Sequence, residues 1–485
     1  MSKYFKVIGL EVHSQLNTDT KLFCSCKREF GAQSNTHVCP VCLALPGTLP
    51  VPNEKAVRLA VKLGLALNCE IDPEPMWTRK NYFYPDLPKG YQITQTGGLP
   101  IYDHPICKNG YLDIDLEDGT TKRIRINRIH MEEDAGKLIH DLDNKNSHFD
   151  ANRCGTPLCE IVTEPDLRTA KEAIAYLQKL KAILEYTGVS DADMEKGNFR
   201  CDANISIRLS EDAPLGIRAE IKNLNSFSSI EKSINIEADL QAVTLDAGRE
   251  VDQCTKRFDL ANNKTIVIRS KEDAHDYRYF PEPDMVLLKI TDDMIETARA
   301  ELPELPAALK ERFIKEYAIT SYDADVLVAE KNISDYYDIV AKSSTNPKLA
   351  ANWVVSELLR EVKEIEGGLE ACKIQPLQFA SMIDLIDKDT ISGKIGKKVF
   401  AEMLETGKDP EVIVKEKNLV QVTDTGAIED IVREVIANNQ GQWTDFIGGK
   451  DKLQGFFVGN VMKLSQGKAN PGMVNQILAK IKAEV

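Results

Sequence analysis

The chain has 485 residues, 42% of them hydrophobic, and a formal net charge of −14. That length suits about three domains with a sizeable core, and the acidic balance excludes a bulk electrostatic nucleic-acid binder, because non-specific affinity comes from cations neutralising phosphates. No apolar run reaches the roughly 20 residues that span a bilayer, and the start, MSKYFKVIGLEVHSQL, lacks a cleavable-signal order, so a cytoplasmic protein with reduced thiols is expected.

In the first predicted strand, KVIGLEVHSQL, side chains change sides at every residue, so Ile8, Leu10 and Val12 share one face and Glu11, His13 and Gln15 the other. Next, FCSCKREFGAQSNTHVCPVCL holds Cys24 and Cys26 ahead of Cys39 and Cys42, with residues 27–38 between the pairs. Two thiolate pairs across such a loop suit tetrahedral zinc, and four cysteines leave no open position for a substrate water, so the expected zinc is structural. The alternative is a loop of reduced cysteines; a redox CxxC lacks the βαβ surroundings it needs. RKNYFYPDLPKGYQ then interleaves Arg79, Lys80 and Lys89 with Tyr82, Phe83, Tyr84 and Tyr91. That mixture suits stacked nucleotides with a neutralised backbone, and equally an aromatic core loop held by Pro85 and Pro88.

KRIRINRIHMEEDAGK runs from an alternating stretch into His130, Glu132, Glu133, Asp134 and Lys137. Such charge is costly to bury unless metal or phosphate balances it; as an exposed turn it carries no chemistry. Gly136-Lys137 is not a Walker loop, because no glycine stands five residues earlier and no Ser or Thr follows, and no GxGxxG follows a strand. A helix is predicted near residues 169–187, stopping at Gly188. In NFRCDANISIRL, Phe199, Cys201, Ala203, Ile205 and Ile207 point inward, against Asn198, Arg200, Asp202, Asn204, Ser206 and Arg208. GIRAEIKNLNSF separates Ile217, Ala219 and Ile221 from Arg218, Glu220 and Lys222, and the two stretches are close enough to form a hairpin. One such strand is ordinarily a solvated outer face. Together these faces gather carboxylates, Asn, Arg and His, the ligand set for a hard cation and the phosphates it bridges.

The texture up to about residue 290 is that of an α+β domain, and it turns helical from about residue 295, marked by Pro303 and Pro306. From roughly residue 410 further helices follow, with a basic end from residue 450 in which Lys450, Lys452, Lys463, Lys468, Lys480 and Lys482 stand against Asp451 and Glu484.

GLEVHSQL, CPVCLALPGTLPVPN, RKNYFYPDLPKGYQITQ, HMEEDAGK, NRCGTPLCEIVTEPD, GNFRCDANISIR, EIKNLNSF and DYRYFPEPD, in this order, resemble the diagnostic blocks of the tRNA-dependent amidotransferase B-subunit family. ISGKIGKKVF and GFFVGNVMKLSQGKANPGMVNQIL resemble its helical and tail parts, so the likeness covers nearly the whole chain. CLALPG stands where CLGxPG is usual, and Cys154 and Cys159 fall in a block that does not require them.

The resemblance implies an α+β fold: a cradle-shaped catalytic domain with a mixed or antiparallel sheet and the zinc knuckle at 1–294, an all-α domain at 295–408, and a YqeY-like tail domain at 409–485 that binds tRNA. It implies a glutamine-hydrolysing carbon–nitrogen ligase that uses ATP to phosphorylate the side-chain carboxylate of Glu-tRNA(Gln) or Asp-tRNA(Asn). Ammonia made by a partner glutaminase, the A subunit, then attacks, a small C subunit bridges the two, and a non-discriminating aminoacyl-tRNA synthetase is a further expected partner.

On the residues, Glu11, His13, Glu132 and Glu133 are expected to hold or orient Mg²⁺, with Asp202 and Glu220 as further acids. Lys137, Arg200, Asn204, Arg218 and Lys222 are expected at the ATP phosphates, and Cys24, Cys26, Cys39 and Cys42 at zinc. Arg79, Lys80, Tyr82, Tyr84, Lys89 and Tyr91 are expected at the tRNA acceptor end. The tail lysines resemble the family's tRNA-body contact, yet six lysines on terminal helices are more often a solvated face. Two other classes compete: a zinc-containing tRNA-binding scaffold without catalysis, which the carboxylate faces disfavour, and a zinc hydrolase, which four cysteine ligands disfavour.

Overall fold

The alternating segment KVIGLEVHSQ becomes β1 (Phe5–Gln15), which lies near the middle of a 12-stranded sheet. The computed structural model describes residues 3–141, 145–270, 276–420, 425–465 and 468–484. Two compact units divide the chain, 1–305 and 306–485.

In the first unit the further strands are β2 (Glu70–Ile71), β3 (Thr78–Asn81), β4 (Tyr91–Thr94), β5 (Cys107–Asp115), β6 (Thr121–Glu133), β7 (Lys137–His140) and β8 (Ser147–Asp150). β9 (Pro157–Thr163), β10 (Phe199–Arg208), β11 (Ala219–Leu224), β12 (Cys254–Asp259), β13 (Lys264–Ser270) and β14 (Phe280–Pro281) follow. Across the sheet the order is β13-β12-β11-β10-β1-β9-β6-β4-β3-β14, with β5 on β6 and β2 on β5, while β7 and β8 form a separate ribbon. β11 and β12 run parallel and the other pairs antiparallel, so the sheet is mixed.

Among the described residues the α-helices of this unit are α1 (Glu54–Ala66), α2 (Ala170–Tyr186), α3 (Phe227–Asp246) and α4 (Asp292–Ala300). The Thr169 hydroxyl accepts from the Glu172 amide to start α2, and Gly188, at φ +68°, lies just past its end. Ile8, Leu10 and Val12 of β1 and Phe199, Cys201, Ala203 and Ile205 of β10 are essentially fully buried, in one core with Leu63 of α1, Tyr176 and Leu180 of α2, and Ile230 and Ile234 of α3. Each such aliphatic side chain contributes about 1.5–3 kcal/mol relative to exposure. A one-residue slip of β1 would send that set to the polar side, so burial fixes the register. Ile217, expected inward, is instead 48% exposed, because β11 begins only at Ala219 and the chain at Gly216 passes so close to Ile207 that a Cβ would meet its carbonyl oxygen at 2.3 Å.

The second unit is helical: α5 (Pro306–Tyr317), α6 (Ser321–Leu327), α7 (Lys331–Ser343) and α8 (Pro347–Trp353), which passes through a π turn at Val354–Leu358 into α9 (Leu359–Val362). α10 (Pro376–Asp387), α11 (Gly393–Thr406) and α12 (Pro410–Glu416) complete this part, with Phe313 and Tyr337 in edge contact at 5.1 Å. α13 (Thr425–Asn438), α14 (Gln440–Ile447), α15 (Gln454–Leu464) and α16 (Pro471–Ala483) enclose a core of their own around Trp443, Phe446 and Phe457. The helical texture read from residue 295 thus begins inside α4, which belongs to the first unit. Among the described residues no helix is long and apolar enough to cross a membrane.

Candidate active site: an acid-lined sheet face and a four-cysteine knuckle

Strand register assembles the charged face. Glu11 of β1 stands opposite Asp202 of β10, and His13 stands between Arg200 of β10 and Glu160 of β9. Glu160 is in turn opposite His130 of β6, and Asn204 of β10 is opposite Glu220 of β11. Residues two apart on one strand share a side, so five strands put Glu220, Asp202, Glu11, His13, Glu160, His130 and Glu132 on one surface.

Distances bear this out. His13 Nε2 lies 3.3 Å from Glu160 Oε2, 3.5 Å from Glu132 Oε1 and 3.9 Å from Glu11 Oε1. Lys222 Nζ is 2.8 Å from both Asp202 Oδ2 and Glu220 Oε1. The Asn223 amide donates to Asp202 Oδ1, and the Thr255 hydroxyl to Glu220 Oε2. Arg200 donates to Asp134, which also accepts from the side-chain Nε2 of Gln15. Burial, then the Glu160 charge, raises the Glu11 carboxyl to about 7. Burial disfavours charge on His13, but Glu160, then Glu132 and Glu11, raise it to about 9. Burial likewise opposes charge on Lys222 and Lys80, and the neighbouring carboxylates, Asp202 for the first and Glu132 for the second, raise both.

Three sets of side chains here have ligand atoms within 4.8 Å of one another: Glu11, His13 and Glu160; His130, Glu132 and Glu160; and Glu11, Asp202 and Glu220. His130 is buried, and among the described residues neither ring nitrogen makes a hydrogen bond, although Nε2 lies 3.3 Å from Glu160 Oε2. Carboxylates crowded in this way, beside an imidazole without a hydrogen-bond partner, fit a divalent cation.

The knuckle is built differently. Cys24, Cys26, Cys39 and Cys42 also converge within 4.8 Å. Lys21 is wholly buried, and its ammonium donates to the carbonyls of His37 and Ala151 and lies 3.5 Å from Cys42 Sγ. The Cys39 amide also donates to Cys42 Sγ, at 3.2 Å. A hydrogen bond from Cys24 holds the Cys42 thiol down at about 4. A buried ammonium and an amide aimed at sulfur fit a set of thiolates around a tetrahedral metal.

The catalytic-domain model of the GatB/GatE family matches residues 6–296, and a second model, described as the GatB domain, matches 335–481. The chain belongs to the GatB/GatE family. It is similar to the B subunit of the aspartyl/glutamyl-tRNA(Asn/Gln) amidotransferase of Syntrophotalea carbinolica, 54% identical over 479 residues, 99% of this chain and 98% of that one. The protein of the same name from Carboxydothermus hydrogenoformans is 52% identical over 481 residues, 99% and 98% of the two chains. That of Persephonella marina is 52% identical over 476 residues, 98% of each.

In this GatB/GatE catalytic domain the acid face gathers Glu11, His13, Glu132, Asp202, Glu220, Arg200, Asn204 and Lys222 from the expected set. Glu133 points the other way, as the residue after Glu132 on a strand must. It pairs with Lys89, accepts from the Ile93 amide and lines a cavity of about 220 Å³ with Phe23, Cys42 and Tyr91 beside the knuckle. Lys137 is exposed on the β7–β8 ribbon, paired in register with Asp150, and Arg218 is exposed ahead of β11.

The acceptor-end residues also divide. Lys80 faces the acid cluster, with its ammonium 5.0 Å from the Tyr277 ring centre, and Tyr82 meets Tyr277 edge-on. Arg79 is taken up by Glu282 and Asp284, with its guanidinium 4.1 Å from the Tyr91 ring centre. Tyr84 is 58% exposed.

Glu160 and His130 were absent from the expected ligands, and Asp134 was absent as the Arg200 partner. A signal existed for Glu160: it is the single charge in the apolar run PLCEIVT, and a lone carboxylate in a strand buried on both sides needs a partner.

Proposed function

We propose that this chain is the B subunit of a tRNA-dependent amidotransferase, and that its acid-lined face uses ATP to activate the side-chain carboxylate of Glu-tRNA(Gln) or Asp-tRNA(Asn) for amidation. One observation carries this reading: Glu11, His13, Glu132, Glu160, Asp202 and Glu220 converge on one surface, flanked by Lys80, Arg200 and Lys222.

The substrate carboxylate is already ionised at neutral pH, so the first step needs alignment and charge cancellation more than a base. One carboxylate oxygen attacks the γ-phosphorus, the bond to the β-phosphate oxygen breaks, and ADP leaves. Ammonia then attacks the acyl carbon and inorganic phosphate leaves, with one proton passing to a base. Lys222, Lys80 and Arg200 stabilise charge on the phosphoryl oxygens. Asn204 contributes an amide at the same edge. Glu11, held near 7, is the group placed to take the proton, because His13, raised to about 9, already carries its own. Glu132 and Glu160 would hold Mg²⁺ and Glu11 and His13 would orient it, and the ion would supply the charge cancellation that ATP and a carboxylate require.

The four cysteines hold a structural zinc. Ammonia comes from a partner glutaminase, the A subunit, with a small C subunit completing a heterotrimer and a non-discriminating aminoacyl-tRNA synthetase supplying the charged tRNA in the cytoplasm. The first unit, through residue 305, carries catalysis, 306–408 is the helical part and 409–485 is a tail that holds the tRNA body.

The test is ADP formation by the assembled complex with ATP, Mg²⁺ and ammonium chloride, comparing Glu-tRNA(Gln), Asp-tRNA(Asn) and the uncharged tRNAs. Turnover that depends on the charged tRNA is expected, and its preference identifies the substrate. Equal rates with charged and uncharged tRNA would remove the kinase step.

A further inference from the structure

Residues 276–284, DYRYFPEPD, approach and form β14 along the outer side of β3. This strap is pinned at both ends. At one end the Asn81 amide donates to the Tyr277 carbonyl at 2.9 Å, and its side chain donates to the carbonyls of Tyr277 and Arg278 at 3.2 and 2.8 Å. At the other, Arg79 makes two hydrogen bonds of 2.8 Å to the buried Glu282 and a third to Asp284. Between the pins Arg278 adopts φ +43°, a left-handed conformation that a non-glycine residue keeps only where its surroundings impose it.

The strap presents Tyr277 and Tyr279 at the flank of the acid face. The Tyr277 ring lies 5.9 Å from that of Tyr279, inclined at 64°, and 6.1 Å from that of Tyr82, inclined at 76°. Tyr279 rests on Gly98, at φ +65°, where a Cβ would come within 2.9 Å of the ring. Tyr279 is close enough to Lys80, Glu160 and Glu132 to feel their charges. Both tyrosines remain partly exposed. A ring recruited only for packing is stabilised by leaving water altogether. Rings fixed this firmly, left partly wet beside carboxylates and a lysine, form a surface for a planar ligand whose charged end lies over the acids.

We infer that Tyr279, buttressed edge-on by Tyr277, is a stacking wall for the adenine ring of an adenosine whose phosphate or 3′-ester end lies on the acid face. The inference rests on the reading that ATP and an aminoacyl-tRNA meet there. Two molecules carry that adenosine, ATP itself and the 3′-terminal nucleotide of the tRNA, and stacking chemistry is common to both. The wall uses the ring and not the hydroxyl, so phenylalanine replaces tyrosine without loss.

Two binding cycles on the assembled complex test it. One compares an uncharged acceptor-stem minihelix with and without its terminal adenosine, on the natural protein and on Tyr279→Ala. The other compares ATP with inorganic triphosphate on the same pair. In at least one cycle, removing the adenosine and removing the ring should each weaken binding about tenfold, the low end for base stacking on an aromatic side chain, and both together should weaken it no further. Coupling in the minihelix cycle assigns the wall to tRNA, and coupling in the nucleotide cycle assigns it to ATP. Tyr279→Phe should bind as the natural protein does. Tyr279→Leu, which keeps an apolar contact on Gly98, repeats the cycle should the alanine variant unfold. Independent, additive losses in both cycles would overturn the wall. These are equilibrium measurements, so loss of tRNA-dependent ADP formation would sink the kinase reading without touching them.

Discussion

His13 Nε2 lies 3.3 Å from Glu160 Oε2, across a strand pair in which the two residues stand directly opposite one another. Glu160 is also 3.3 Å from His130 Nε2, and the two histidines hold its carboxyl well below its usual range despite burial. Glu160→Gln keeps the volume and removes the charge. tRNA-dependent ADP formation should fall by roughly 10²–10³, the effect of losing one aligned charged group, with the circular dichroism spectrum unchanged. Full activity would place the chemistry elsewhere.

Glu11 and Asp202 face each other across β1 and β10, and neither belongs to the four-cysteine set. Glu11→Ala or Asp202→Ala should abolish ATP turnover and leave zinc content, by elemental analysis, as it was. Normal turnover in both variants would remove these acids from the metal site.

Lys21 is the buried cation beside the cysteines. Lys21→Met keeps much of the volume and leaves the thiolate charge uncompensated. Competition against a chelator should show zinc held about 10- to 100-fold more weakly, the range for loss of an outer-shell partner. Unaltered competition would make Lys21 a packing residue only.

In the helical unit, Asp338 accepts from Arg312, Lys342 and the Tyr317 hydroxyl. Burial works against its charge, and these three donors, Arg312 first, bring its pKa down to about 2. A depressed carboxyl stabilises the fold above its unfolded pKa of about 3.8 and loses that contribution as pH falls toward 2. Asp338→Asn should therefore destabilise by roughly 1–2 kcal/mol at pH 7, with solvent screening allowed for, and by little near pH 2. Urea midpoints at the two pH values decide it; an equal loss at both would mean that shape, not charge, matters.

Because α13 to α16 enclose their own core, the chain ended after Val420 should keep its acid face. Filter binding should show weaker tRNA affinity, by about tenfold for the loss of a few phosphate contacts, while ATP binding holds. Undiminished affinity would leave the tail lysines as a solvated face.

Alternation alone determined much of this protein. Ile8, Leu10, Val12 and the odd-numbered apolar residues from Phe199 to Ile207 had to be buried, and that forced Glu11, His13, Arg200 and Asp202 onto the other side, since a strand has only two faces. The spacing of Cys24, Cys26, Cys39 and Cys42 was equally readable, because a tetrahedral site needs little more than two short pairs and a loop. Tertiary structure decided what lies beside what. β9 enters between β1 and β6, bringing Glu160 from about 150 residues downstream to sit between two histidines; no local pattern encodes a strand's neighbours, which depend on how the whole sheet buries its apolar face. The same pairing gave Glu132 a histidine and Glu133 a lysine for company, left Lys137 and Arg218 in solvent, and engaged Arg79 with carboxylates from a strap some 200 residues away. Local periodicity states which side a residue takes, and only long-range pairing states its company.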